Sequence, residues 1–144
     1  MLLEEIMADF VKDDAVKGIS IKLIEKLPDL LGHIKPGRLL FVREVSSSQK
    51  VQSGSCRAVK PPYNLLDPNI MYIICVYFRA GWDSMTEAQQ VLLVMHQLMH
   101  IGPDFDGVLL QHDASDWSFL LDNFGADYLH RKEVPNLLTA NVER

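Results

Sequence analysis

"VLLVMHQLMHIGPDFDGVLLQHDASDW" occupies Val91–Trp117. Residues 91–101 read as a helix that is apolar nearly all round: only His96, Gln97 and His100 interrupt Val91, Leu92, Leu93, Val94, Met95, Leu98, Met99 and Ile101. Such a helix is buried. Residues four apart stand one turn above each other, so His96 and His100 point the same way. A buried imidazole without a partner costs on the order of 1–3 kcal/mol. The pair therefore needs either hydrogen-bond acceptors or a shared cation. "GPDFDG" (102–107) breaks the helix, "VLL" returns the chain along it, and His112 follows. The third imidazole tips the reading towards a metal. An i, i+4 pair supplies two cis positions of a tetrahedron, with zinc–nitrogen distances of about 2.0–2.1 Å. The expected ligands are His96, His100 and His112, with Asp113 or Asp116 as alternatives for the third. Otherwise these two acids sit behind the imidazoles and fix a tautomer. His130 lies beyond Gly125 and suits the site less; His33 is isolated and is given no role.

"HQLMH" differs by one residue from HExxH, in which two histidines hold zinc and the glutamate takes a proton from a water. The wider block "WDSMTEAQQVLLVMHQLMHIGPDFDGVLLQHDASDW" resembles the zincin-like metallopeptidases encoded by phages and prophages. In that family the helix ends "HELxHI", a short "F-D/S-G" turn follows, and "HD" precedes a closing helix. The resemblance covers about Ile70 to Phe124 and is specific in the histidines, Ile101, Gly107 and the His112–Asp113 pair. It implies a zincin-like fold, a zinc ion, a peptide or protein substrate and a viral or prophage origin. It also implies an open-edged strand before the active helix, where an extended peptide could add. Repressor cleavage is one activity it allows. The departure is Gln97. Glutamine matches glutamate in size, but its amide cannot accept the proton, and loss of a general base costs about 10²–10⁴-fold in rate. The chain is therefore expected to be nearly or wholly inactive. Either an engineered glutamate-to-glutamine change or a natural pseudo-enzyme explains this, and a single isosteric change in a matching motif points to the first.

Outside this block the elements alternate less cleanly. Ala15–Leu27 has Val16, Ile19, Leu23, Ile24 and Leu27 at helical spacing and stops at Pro28. A shorter helical piece with Leu2, Leu3, Ile6 and Phe10 on one side precedes it. "LLFVREV" (39–45) reads as a strand, "SSSQKVQSGS" (46–55) as a polar loop and "CRAV" (56–59) as a short strand. "YNLLDPN" (63–69) is a loop. "IMYIICVYF" (70–78) is the best strand, β-branched and aromatic with both faces apolar. Ser84 or Thr86 caps the histidine helix, with Glu87 in its first turn; that helix runs to about Ile101. A last helix covers roughly Asp113 to Phe124, with Gly125 at its end. Strand and helix runs are segregated, which predicts an α+β fold: N-terminal helices, a small twisted sheet of about three strands, a buried metal-binding helix and a C-terminal helix. A chain of 144 residues suits one domain over its whole length.

The charge is uneven. Between Ala80 and His130 there are eight acids and no Lys or Arg, against eleven acids and fourteen bases elsewhere. An acidic half carrying the histidines suits a cation and argues against nucleic acid. No apolar run approaches the roughly 18–20 residues that span a bilayer, and the acidic start "MLLEEIMADF" lacks the pattern of a secretory leader. Cys56 and Cys75 form no CxxC pair; Cys75 reads as a buried hydrophobe and Cys56 at most as a spare ligand. The chain is expected in the cytoplasm, with no membrane partner; its oligomeric state is not legible. Two further functions compete with the peptidase: a non-catalytic zinc-binding protein-interaction module, and a metal-free partner-binding domain.

Overall fold

The apolar run at 70–78 becomes one of the two inner strands of a four-stranded mixed sheet. The computed structural model describes residues 10–45, 53–60, 65, 67–78 and 81–143. Its strands are β1 (Phe10–Lys12), β2 (Leu39–Glu44), β3 (Gly54–Ala58) and β4 (Tyr72–Tyr77), in the order β1-β2-β4-β3. β4 pairs in parallel with β2, from Leu39↔Tyr72 to Glu44↔Tyr77, and antiparallel with β3, from Gly54↔Val76 to Ala58↔Tyr72. Tyr72, Ile74 and Val76 enter the main core, while Cys75 and Tyr77 join Val42 in a smaller cluster. Both faces of β4 are covered, which explains why its sequence shows no polar alternation.

The expected sheet of about three strands gains a fourth in β1. Phe10, expected on a helical piece, instead pairs with Glu44 across an antiparallel contact to β2. Three residues are too few to show a period, and their partner strand is remote in sequence. Leu2, Leu3 and Ile6 lie outside the described residues, as do most of the polar loop before β3 and residues 61–64.

Helix α1 (Asp14–Lys26) is capped by Asp13, whose side chain accepts from the Val16 N–H at 3.0 Å. It buries Val16, Ser20 and Leu23. Leu27 leaves the helical region (φ −122°) because it precedes Pro28, which opens the short α2 (Pro28–Leu31).

Helix α3 (Glu87–Leu98) carries the histidines. Thr86 is its cap: its side chain accepts from the Gln89 N–H at 3.2 Å, and Gln89 accepts from the Thr86 N–H at 2.9 Å. This reciprocal pair satisfies two of the orphan donors at the helix start. The helix ends at Leu98, short of Ile101. There the His100 and Ile101 N–H groups turn to the carbonyls of Gln97 and Leu98, a tightened i→i−3 end. α3 packs against α1, β3 and the 3₁₀ turn Tyr128–His130.

Helix α4 (Ser118–Phe124) is shorter than the expected Asp113–Phe124. Asp113 accepts from the Ser118 N–H at 2.8 Å and its hydroxyl at 2.6 Å, and Asp116 accepts from the Trp117 N–H at 2.6 Å. Such local side-chain bonds compete with helix formation, so His112 lies in a loop well before the helix. Gly125 ends α4 with φ +80°, as expected. Among the described residues four α-helices and a four-stranded sheet make the fold α+β, the arrangement expected of a minimal zincin-like protein. No described helix is long and apolar enough to cross a membrane.

Candidate metal centre

The route from α3 to His112 is a tight reversal. Phe105 (φ +48°) and Gly107 (φ +82°) take left-handed conformations in the turn. The Leu110 N–H then donates to the His100 carbonyl at 2.7 Å, and Ile101 and Leu109 form an antiparallel bridge. The turn is pinned to the sheet by Tyr72, whose hydroxyl accepts from the Gly107 N–H at 2.8 Å and donates to the Val108 carbonyl at 3.2 Å. "VLL" therefore does run back along the helix end, and it delivers His112 to His96 and His100.

The three imidazoles meet through their Nε2 atoms. His112 Nε2 lies 3.1 Å from His96 Nε2 and 3.2 Å from His100 Nε2, and one ring nitrogen from each of the three falls within 4.8 Å of the others. Two tetrahedral ligands at about 2.0–2.1 Å from zinc stand roughly 3.3 Å apart, which the two separations from His112 match. The far sides of the α3 rings assign the tautomers. His96 Nδ1 faces Asp116 Oδ1 at 2.9 Å, and His100 Nδ1 faces the Leu110 carbonyl at 2.8 Å. Both partners only accept, so each Nδ1 carries the proton and each Nε2 lone pair points into the cluster. Trp117 walls the site: its ring centroid lies 5.0 Å from that of His100 and 4.9 Å from that of His112, and its indole N–H donates to the His96 carbonyl at 2.9 Å.

Electrostatics favour ligand-competent rings. Burial pulls the His96 pKa down to about 4, against the opposing pull of Asp116 and with help from the other two histidines. Burial also lowers that of His100. Both are therefore neutral at pH 7, the form that ligates a metal. The donor set thus fits a metal ion: three convergent nitrogens, two with their tautomers set, and a partly exposed approach.

The other expected residues separate. Asp116 stands behind His96, not in the ligand cluster. Its second oxygen accepts from the Tyr128 hydroxyl at 2.9 Å, and that hydroxyl also lies 3.0 Å from His96 Nδ1. Asp113 does not reach an imidazole; its hydrogen bonds to Ser118 hold its pKa down and shape the loop. Gln97 is 7% exposed and lines the same cleft as the three histidines, and its side-chain amide bonds no described residue. His33 bonds the Ile101 carbonyl at 2.8 Å, an ordinary structural role. His130 and Lys132 line the cleft too, but His130 is not one of the three residues that converge. Cys56 lines it from β3, buried, with its thiol pKa pushed up to about 12 by desolvation, and it is not one of the three residues that converge.

The cleft measures about 770 Å³, and one wall is formed by Ser53 and the start of β3, Gly54–Cys56. Among the described residues β3 is an edge strand, with β4 as its one neighbour in the sheet. The strand directly before the histidine helix, β4, is an inner one; the strand beside the histidines is β3.

Tyr128 and Trp117 went unread in the sequence. Trp117 closes the quoted stretch but follows no periodic pattern. Tyr128 lies beyond α4 with no local motif, and only the folding of the C-terminal turn onto α3 brings it in.

Compared with known proteins, residues 8–141 match the family model described as "Putative phage metallopeptidase". No curated protein and no solved structure matches the chain. The match spans the sheet, the histidine helix and the loop bearing His112, and the chain belongs to this phage metallopeptidase family.

Proposed function

We propose that the protein is a zinc peptidase centre in which Gln97 stands at the general-base position. It would then hold zinc and a peptide but hydrolyse slowly or not at all. The observation that carries this reading is the convergence of the His96, His100 and His112 Nε2 atoms with the His96 and His100 Nδ1 atoms tied to acceptors behind them. An all-nitrogen set of three with an open side suits zinc among the common divalent ions. Zinc held there would lower the pKa of a water to roughly 7 and polarise a carbonyl.

The chain's own residues do the rest. Asp116 and the Leu110 carbonyl orient two ligands, and Trp117 shields them from bulk water. The outer edge of β3 offers backbone groups to an extended peptide lying in the cleft. Gln97 can orient a water or a carbonyl through its amide but cannot take a proton. That amide favours a second reading, in which the same cleft binds a peptide without cutting it. Two buried free cysteines suit a reducing, cytoplasmic setting.

The test joins metal content to a single substitution. Protein purified without chelator should carry about one zinc per chain. Gln97→Glu should keep that zinc and raise zinc-dependent cleavage of an unfolded protein or peptide library by about 10²–10⁴-fold. No zinc uptake after reconstitution would end both readings. Zinc uptake with no cleavage by Gln97→Glu would leave the binding module in place of the peptidase.

A further inference from the structure

We propose that Tyr128 is a positioning residue of the metal centre, acting through Asp116 to hold the His96 imidazole in its ligating orientation. This rests on the reading of His96, His100 and His112 as a metal centre.

Asp116 is a hub with three donors. Its Oδ1 takes the His96 Nδ1–H at 2.9 Å and the Trp117 N–H at 2.6 Å, and its Oδ2 takes the Tyr128 O–H at 2.9 Å. A carboxylate that holds a ligand in place must itself be held, because rotation about its own side-chain bonds would swing the ring with it. The Trp117 bond is local and constrains Oδ1 alone. Tyr128 is the group that fixes Oδ2, and its oxygen also sits 3.0 Å from His96 Nδ1. The ring is 2% exposed, and its hydroxyl donates to the carboxylate behind the ligand.

The support extends one step further. Tyr128 belongs to the 3₁₀ turn Tyr128–His130, and that turn is clamped by Gln89, whose side-chain amide donates to the Leu129 carbonyl at 2.8 Å. The same Gln89 side chain accepts from the Thr86 N–H in the cap of α3. His96 is carried by that helix as well. Both ends of the Tyr128–Asp116–His96 chain therefore hang on α3, so the distance between them is set by a rigid element. Partners behind a metal ligand commonly contribute 10–100-fold in affinity.

The experiment measures the zinc Kd by competition with a chromophoric chelator in the full chain, Tyr128→Phe, Asp116→Asn and the double variant. Tyr128→Phe keeps the buried ring and removes the hydroxyl. It should weaken zinc binding about tenfold, and Asp116→Asn about 10–100-fold. In the Asp116→Asn background Tyr128→Phe should change the Kd less than twofold, because the path runs through the carboxylate. A purely structural tyrosine would instead give additive effects, or leave the Kd unmoved while lowering the urea midpoint. Gln89→Glu, which retains the capping acceptor but loses the donor to Leu129, should also weaken zinc several-fold, and it carries the test if Tyr128→Phe does not fold. Wild-type protein that takes up no zinc overturns the metal reading and this inference together. Wild-type protein that binds one zinc while Tyr128→Phe, or Gln89→Glu in its place, binds it equally well overturns the inference alone.

Discussion

Tyr72→Phe tests whether the histidine site depends on the turn that returns the chain to it. Tyr72 is fully buried in β4, and its ring lies 5.3 Å from that of Phe105 in the turn. Phenylalanine fills nearly the same space, so no cavity term enters. What is lost is the hydroxyl, which accepts from the Gly107 N–H at 2.8 Å and donates to the Val108 carbonyl at 3.2 Å. Each bond is worth about 0.5–1.5 kcal/mol net. Gly107 is half-buried and Val108 exposed, so water replaces part of the loss; about 1–2 kcal/mol should remain. That energy falls on the segment that positions His112. If all of it must be restored when metal binds, the zinc Kd rises by at most about thirtyfold, at 1.4 kcal/mol per decade. Urea denaturation in the presence of chelator gives the first quantity and a competition titration the second. A stability change under about 0.3 kcal/mol with an unchanged Kd would refute the idea that this hydroxyl holds the turn.

The other histidines offer a second check: His112→Ala should weaken zinc far more than His130→Ala or His33→Ala, and His33→Ala should cost about 1 kcal/mol of stability through its bond to the Ile101 carbonyl. Should Asp116→Asn prove worse than His112→Ala, the ligand set includes a carboxylate. The third check is acid. Burial holds the His96 pKa at about 4 against the usual 6.5, so the folded state resists a proton that the unfolded chain accepts. The metal-free fold keeps this contribution above pH 6.5 and loses about 3 kcal/mol as the pH falls to 4. Urea midpoints at pH 7 and pH 4 should fall much further for wild type than for His96→Gln; equal falls would mean that another group is responsible.

Much of this protein is written in local pattern. The apolar stretch around His96 and His100 determined a buried helix, and the i, i+4 spacing placed both rings on one side of it. Pro28, Gly125 and the "GPDFDG" breaker marked ends that the structure keeps within a few residues. The β4 run declared a strand covered on both faces. These features depend on contacts within a turn or two of chain, where the period of the backbone acts directly on side-chain placement. Tertiary structure alone decided the rest. β1 forms because β2 offers an edge, which three residues cannot announce. The last helix begins at Ser118 because the Asp113 and Asp116 carboxylates capture nearby backbone N–H groups. Asp116 was separated from Asp113, and Tyr128 was recruited, because the chain after α4 folds back onto the start of α3. Which carboxylate serves an imidazole is set by the directions of side chains brought together from distant elements, and no local spacing encodes those directions.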